Sequence, residues 1–209
     1  AKGAGMVAPE LAVHHATMLA FVLTDADIEK NAFKRAISLS LQESFNSITI
    51  DGCMSTNDAA FFMANGLAGN RRITFGSRGF FAFFKILREV NLRLAKMLVE
   101  DAEGATKFIC IRVSGARSAA EARRCAFKVA NSNLLKTAIY GKNPNPGRIV
   151  AAVGSCGIKI RENNLKIYIS SLKRSQIKIN INLNRGSQEA VVYTSDLTPE
   201  YVRINAEYN

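Results

Sequence analysis

The chain has 209 residues, 48% hydrophobic and 22% charged, enough for one large domain with a substantial core or for two small ones. No uninterrupted apolar segment approaches the roughly 18–20 residues of a membrane helix, and the first ten residues lack the basic cluster and apolar stretch of a secretory signal. The net charge of +11 resides in the second half: residues 1–104 hold 11 Lys/Arg against 11 Asp/Glu, and residues 105–209 hold 17 against 6. A basic half fits nucleic acid, an acidic protein surface or an anionic substrate. Here the cations are dispersed and no aromatic-rich signature interleaves them, which argues against nucleic acid. Cys53, Cys110, Cys125 and Cys156 are scattered; they read as reduced, packed thiols in a cytoplasm-like compartment, with neither a disulfide framework nor a metal site. The opening Ala1-Lys2-Gly3, without an initiator methionine, reads as a processed product or a fragment.

Lys2-Gly3-Ala4-Gly5-Met6-Val7-Ala8 fits the dinucleotide-binding G-x-G-x-x-A pattern only superficially. That motif needs a preceding strand and a following helix, and Pro9 interrupts any early helix. A flexible glycine turn near a site is the better reading. His14 and His15 are neighbours, so in an extended segment they face opposite ways and do not share a metal. Next comes Ala16-Thr17, a small residue before a threonine that opens the apolar run Met18 to Leu23, read as a buried strand. Cleavage before Thr17 would leave one residue with a hydroxyl and an α-amine. That amine, with a pKa of roughly 7.7–8.0, could serve as local base for the hydroxyl in acyl transfer.

Thr24 and Asp27 are spaced as a capping box, predicting a helix from there to about Phe45. Ile48-Thr49-Ile50 reads as a short strand ended by the Asp51-Gly52 turn. The polar loop Ser55-Thr56-Asn57-Asp58 leads into Ala59 to Ala64, read as a buried strand closed by Asn65-Gly66. Phe80, Phe84, Leu87, Leu94 and Leu98 mark a long amphipathic helix to about Val99, with the phenylalanines in the core. The acidic turn Glu100-Asp101-Ala102-Glu103-Gly104 precedes a strand, Lys107–Val113, and offers a ligand-facing carboxylate. Ser118 and Glu121 form a second capping box for a helix to about Ser132. Asn143-Pro144-Asn145-Pro146-Gly147 is a rigid turn, and the small residues from Gly147 to Gly157 allow close backbone approach. Strands follow at Leu165–Ser170, Ile177–Leu183 and Ala190–Tyr193, the first two with lysines on their polar faces. Thr198-Pro199-Glu200 starts a last helix. No internal repeat stands out, and no linker is long enough to split the domain.

These residues resemble one family along the whole chain, the ornithine acetyltransferases or glutamate N-acetyltransferases of arginine biosynthesis. The matching stretches are Lys2 to Met6, Ala16 to Phe21, Phe45-Asn46 through Asp51-Gly52, Ser55 to Asp58 and Glu103 to Lys107. Lys136 to Ile139, Gly147 to Ile149, Asp196 to Thr198 and Tyr201 to Tyr208 continue them in order. The resemblance implies an α+β fold, an αββα sandwich similar to N-terminal-nucleophile hydrolases of the self-cleaving aminopeptidase type. It further implies a precursor that cuts itself between Ala16 and Thr17. Residues 1–16 would then be the end of the α chain and residues 17–209 the β chain, the two staying together as α2β2 or a higher assembly. Thr17 would carry an acetyl group from N2-acetyl-L-ornithine to L-glutamate, with Lys2, Thr17, Glu103 and Asn205 lining the substrate site. Oxyanion donors would come from a Thr-Gly pair in the α chain, outside this sequence. No cofactor or metal is implied. Acetyl-CoA as a second donor is left open, as is a cytoplasmic, mitochondrial or plastid location.

The segment Glu10 to His15 is longer than the family's link, and Ala102 stands where a glycine is usual. Asn143 and Pro146 replace the family's Asp and Trp. Two other readings compete: a self-cleaving aminopeptidase on the same fold, and a non-catalytic basic binding fragment.

Overall fold

The structure, a computed structural model, describes residues 1–9 and 18–207, with the backbone alone at Glu162. Two compact units emerge. One comprises Ala1–Ile48 and Cys53–Leu98, the other Thr49–Gly52 and Val99–Asn209. No linker separates them: the chain passes from one to the other through the four-residue turn 49–52 and within a single helix.

In the first unit, β1 (Leu19–Thr24) and β2 (Ala59–Ala64) form a parallel pair in which Phe21 lies opposite Phe61 and Leu23 opposite Met63. The strand period of two sends Val22 and Phe62 inward, onto Ala32 and Ala36 of α1 (Lys30–Gln42) and Phe80 and Leu87 of α2 (Arg78–Glu100). A buried bond from Asn91 Nδ2 to Ser40 Oγ (2.9 Å) ties the two helices together. The expectation of two buried strands is corrected here. Phe21 and Leu23 are 51% and 71% exposed, Phe61 and Met63 stand out with them, and the rings of Phe21 and Phe61 stack at 5.3 Å. Apolar residues fill both faces of this pair, and only one face is covered.

α1 starts five residues later than the Thr24/Asp27 capping box predicts. The backbone groups of residues 25–29 have other partners: Asp27 N donates to Asn70 Oδ1, while Glu29 N donates to Ile73 O and Ile73 N to Asp27 O. A helix needs those same donors and acceptors, so Glu29, still extended at ψ 138°, becomes the N-cap without a side-chain cap. The predicted strand Ile48–Ile50 is also absent. Phe45–Ser47 makes one 3₁₀ turn, and Thr49 N donates to Tyr193 O (3.0 Å), which anchors a connecting segment.

The second unit is a four-stranded mixed sheet in the order β4-β5-β3-β6. Its strands are β3 (Phe108–Ala116), β4 (Lys166–Ile169), β5 (Gln176–Asn182) and β6 (Gln188–Ser195). β3 pairs in parallel with β5 and antiparallel with β6, and β4 pairs antiparallel with β5. Ile109, Ile111, Val113, Ile177, Ile179 and Ile181 alternate onto one face, where α3 (Ala119–Ala130), α4 (Asn133–Tyr140) and α5 (Pro146–Gly154) cover them. Lys178 and Lys166 point to the opposite, open face, as expected.

Ser118 Oγ accepts from Glu121 N (3.1 Å) at the start of α3, as its capping box predicts. α4 and α5 are additions to the sequence reading. Each buries three apolar residues at i, i+3, i+4 spacing: Leu135, Ala138 and Ile139, then Ile149, Ala152 and Val153. The rigid turn is where Pro146 sits in the first turn of α5, and Arg148 Nη1 donates to the Leu134 carbonyl of α4. β3 bulges between Val113 and Ala116, where Gly115 has φ +70° and a Cβ would fall 2.2 Å from Asn182 Oδ1. Ile179→Ala, in the middle of this core, is expected to cost about 2–5 kcal/mol in urea unfolding.

Candidate active site

The residues expected to form the site fall into two groups, one in each unit. Ala16 and Thr17, like His14 and His15, lie outside the described residues. What the structure does describe is the ground on which Thr17 stands. Lys2 N donates to Leu19 O (2.8 Å) and Leu19 N to Lys2 O (3.0 Å), an antiparallel bridge between the glycine-rich segment and the first residue of β1. Gly3 and Met6 then take positive φ values, 155° and 52°, so the glycine turn read from the sequence is present. Met18 N, one peptide bond after Thr17, donates to Asp58 Oδ1 at 2.5 Å. Asp58 is buried, and Ala59 N returns a bond to Met18 O (2.8 Å). Lys2, Met18, Leu19 and Asp58 thus converge within a few residues of the proposed nucleophile. Asp58, read from the sequence as part of a polar loop and of the matching stretch Ser55 to Asp58, was given no role of its own there. Its signal was a carboxylate immediately ahead of an apolar strand.

In the second unit Glu103 and Asn205 meet directly: Asn205 Nδ2 donates to Glu103 Oε2 (2.9 Å) and also to Tyr201 O (3.0 Å). α6 (Pro199–Ala206) carries Tyr201 and Asn205, and Thr198 caps it by accepting from Tyr201 N (3.1 Å). The same Thr198 hydroxyl donates to Gly104 O (2.8 Å). Gly104 has φ +64°, and a Cβ there would lie 2.5 Å from Tyr201 N, so only glycine lets the acidic loop rest against the helix start. Further along the loop, the buried Asp196 carboxylate accepts from Thr106 N (2.8 Å), Thr106 Oγ1 (2.5 Å) and Lys107 N (2.9 Å). The Glu103 loop is held at both ends.

Beneath it lies a residue to which the sequence reading gave no role. Lys136, on the buried side of α4 and only 3% exposed, directs Nζ to the Ile50 carbonyl and towards Thr194 Oγ1 (3.4 Å). Burial drives its pKa down to about 8, against the opposing pull of the Asp51 and Asp196 carboxylates. Asp51 in turn accepts from Tyr201 OH (3.1 Å). The signal available in the sequence was a lysine amid the apolar residues Leu134, Leu135, Ala138 and Ile139. Among the described residues, no group of three or more His, Cys, Asp or Glu side chains could hold a metal ion. The four cysteines are unbridged, and no helix is long and apolar enough to cross a membrane.

The chain is similar to proteins already known. A solved arginine biosynthesis bifunctional protein argJ from Bacillus halodurans matches with a TM-score of 0.87 at 39% identity, over 92% of this chain and 100% of that chain. The likeness places the chain in the expected α+β class, with a fold of the N-terminal-nucleophile hydrolase type. The sequence model of the ArgJ family matches residues 1–174 and 169–209. Similar curated proteins include the arginine biosynthesis bifunctional protein ArgJ of Geobacter sulfurreducens, 44% identical over all of this chain and 57% of its own. The glutamate N-acetyltransferase of Methanocaldococcus jannaschii is 39% identical over 100% of this chain and 57% of its own. A mitochondrial ArgJ of Dictyostelium discoideum is 38% identical over 99% and 55%. The chain belongs to the ArgJ family, and it spans a little over half the length of these relatives.

The lowered pKa of Lys136 has a stability consequence with a definite sign. Its folded-state value, about 8, lies below the ordinary 10.5, so between those values the unfolded chain holds more protons than the folded one. The charged lysine therefore costs stability below pH 8, and that cost is relieved as the pH rises through the window. Urea unfolding of wild type and Lys136→Met should diverge by about 3 kcal/mol in favour of wild type between pH 7 and pH 10.5.

Proposed function

We propose that this chain is the nucleophile-bearing part of a glutamate N-acetyltransferase. It would move an acetyl group from N2-acetyl-L-ornithine to L-glutamate through an ester on Thr17, after the Ala16–Thr17 bond breaks. The observation that carries the reading is the pinning of the two residues after Thr17, Met18 by Asp58 and Leu19 by Lys2. An acyl-transfer nucleophile needs a fixed position, and a strand start bonded on both sides supplies one. Family membership and the likeness to the Methanocaldococcus glutamate N-acetyltransferase support the same reading.

In this mechanism Thr17 Oγ first attacks the Ala16 carbonyl, shifting the acyl group from nitrogen to oxygen. Water then hydrolyses that ester, leaving Ala16 with a carboxylate and Thr17 with a hydroxyl and an α-amine. In turnover the α-amine takes the hydroxyl proton as Oγ attacks the acetyl carbonyl. The tetrahedral adduct collapses, and the proton passes to the departing ornithine nitrogen. The glutamate amine then attacks the Thr17 ester and the hydroxyl is restored. Lys2 and the Glu103–Asn205 pair are the groups for the charged ends of the amino acid, since a cation suits a carboxylate and a carboxylate suits an ammonium.

The α chain of the same precursor is the partner that this reading requires. The exposed apolar face of Phe21, Leu23, Phe61 and Met63 supports it, because parallel strand pairs are stable with both faces covered. Mass spectrometry of the purified full-length protein should show a fragment with the mass of Thr17 to the C-terminus. Thr17→Ala should abolish both that fragment and ornithine-to-glutamate acetyl transfer; transfer retained in the variant overturns the reading. Amide hydrolysis without an acceptor amino acid would mark an aminopeptidase instead.

A further inference from the structure

We propose that Lys136 is a positioning residue of this site: its buried ammonium holds the Asp51 turn and the Glu103 loop in the places from which Glu103 and Asn205 meet the substrate. The proposal rests on the reading of Glu103 and Asn205 given above. Its geometry lies wholly in the second unit. From Lys136 the contacts run one way to the Ile50 carbonyl and Asp51, then by the 3.1 Å bond to Tyr201 OH, and along α6 to Asn205 and Glu103. They run the other way, through electrostatic attraction, to Asp196, whose three accepted bonds secure Thr106 and Lys107 at the far end of the loop that begins with Glu103. The two routes close on each other at Glu103.

The turn is built to receive this cation. Thr49 Oγ1 donates to Asn131 Oδ1 (2.8 Å) and accepts from Gly52 N (3.1 Å), so the turn is closed by its own side chain. Gly52 has φ +77°, and a Cβ there would lie 3.2 Å from Asn131. The Ile50 carbonyl accepts the ammonium while the turn stays in that shape. The ionisable groups that act on Lys136 are Asp51 on the turn and Asp196 after β6, and β6 adds the Thr194 hydroxyl.

A lysine at this point of α4 is an expensive choice. Leu135, Ala138 and Ile139 already supply the helix with its apolar contacts, and a buried cation loses hydration that its partners must replace. A methionine would fill a similar volume without that loss. The charge is explained by what it joins: the Ile50–Asp51 turn and the segment that bears Asp196.

The test compares wild type, Lys136→Met and Lys136→Gln in the full-length protein, with steady-state acetyl transfer and amide hydrogen exchange as readouts. In the variants the KM for N2-acetyl-L-ornithine should rise about tenfold or more while kcat stays within about threefold, because Thr17 chemistry is untouched. Amides of residues 50–52 and 103–107 should exchange about tenfold faster, with those of β3 unchanged. A purely structural role would lower the active fraction, and with it kcat, and leave KM alone. Lys136→Gln keeps an N–H donor and loses only the charge, which covers a Met variant that fails to fold. Wild-type KM and wild-type exchange in either folded variant would overturn the proposal, as would failure of both to fold. Absence of acetyl transfer in wild type would defeat the functional reading by itself, and loop exchange would still decide whether Lys136 is the clamp.

Discussion

The second unit depends on one carboxylate. Asp196 is buried, and a buried carboxylate is costly unless its oxygens are filled. Here Thr106 and Lys107 fill them with two backbone amides and one hydroxyl, and Lys136 adds a cation nearby. Those bonds seat the entry to β3, one of the two strands with partners on both sides in the sheet. Two residues later Thr198 caps α6 and holds Gly104 with the same hydroxyl. One short stretch, Asp196 to Thr198, therefore fixes the acidic loop, the sheet and the last helix together. That stretch helps to bring Glu103 and Asn205 into contact across 102 positions of the chain.

The first unit works on a different principle. Its parallel strands cannot be joined by a tight turn, so a crossover of more than 30 residues containing α1 connects them. β1 begins two residues after Thr17 in the sequence; its first residue, Leu19, bonds to Lys2, and Met18 just ahead of it bonds to Asp58. A strand start is a rigid place for a nucleophile, since ladder bonds hold the backbone that follows. The same strands leave Phe21, Leu23, Phe61 and Met63 facing outward.

At Lys136 burial and the neighbouring carboxylates pull in opposite directions. Its burial lowers the pKa, which means that the fold opposes the charge. The Asp51 and Asp196 carboxylates resist that effect without cancelling it. The contact network places that tension under the Asp51 turn and the Glu103 loop. Functional sites are where such tension is expected to gather.

Most of the elements were legible in the sequence because they rest on local chemistry. Ser118 and Thr198 cap α3 and α6 where their hydroxyls fall three residues before a partner amide, and the alternating isoleucines of β5 announce a sheet with one dry face. The start of α1 was not legible: Thr24 and Asp27 satisfy the local rule, but Asn70 and Ile73, more than 40 residues away, bond to those backbone groups first. α4 and α5 are short, and their small residues resemble a loop until the sheet is present to bury them. The family, and with it the candidate residues, came from ordered motifs spread along the chain. That Asp58 stands on Met18, that Glu103 meets Asn205 and that Lys136 lies beneath both carboxylate loops was decided only in three dimensions. Each of these contacts joins residues 40 to 102 positions apart, a separation across which periodicity and capping patterns carry no information.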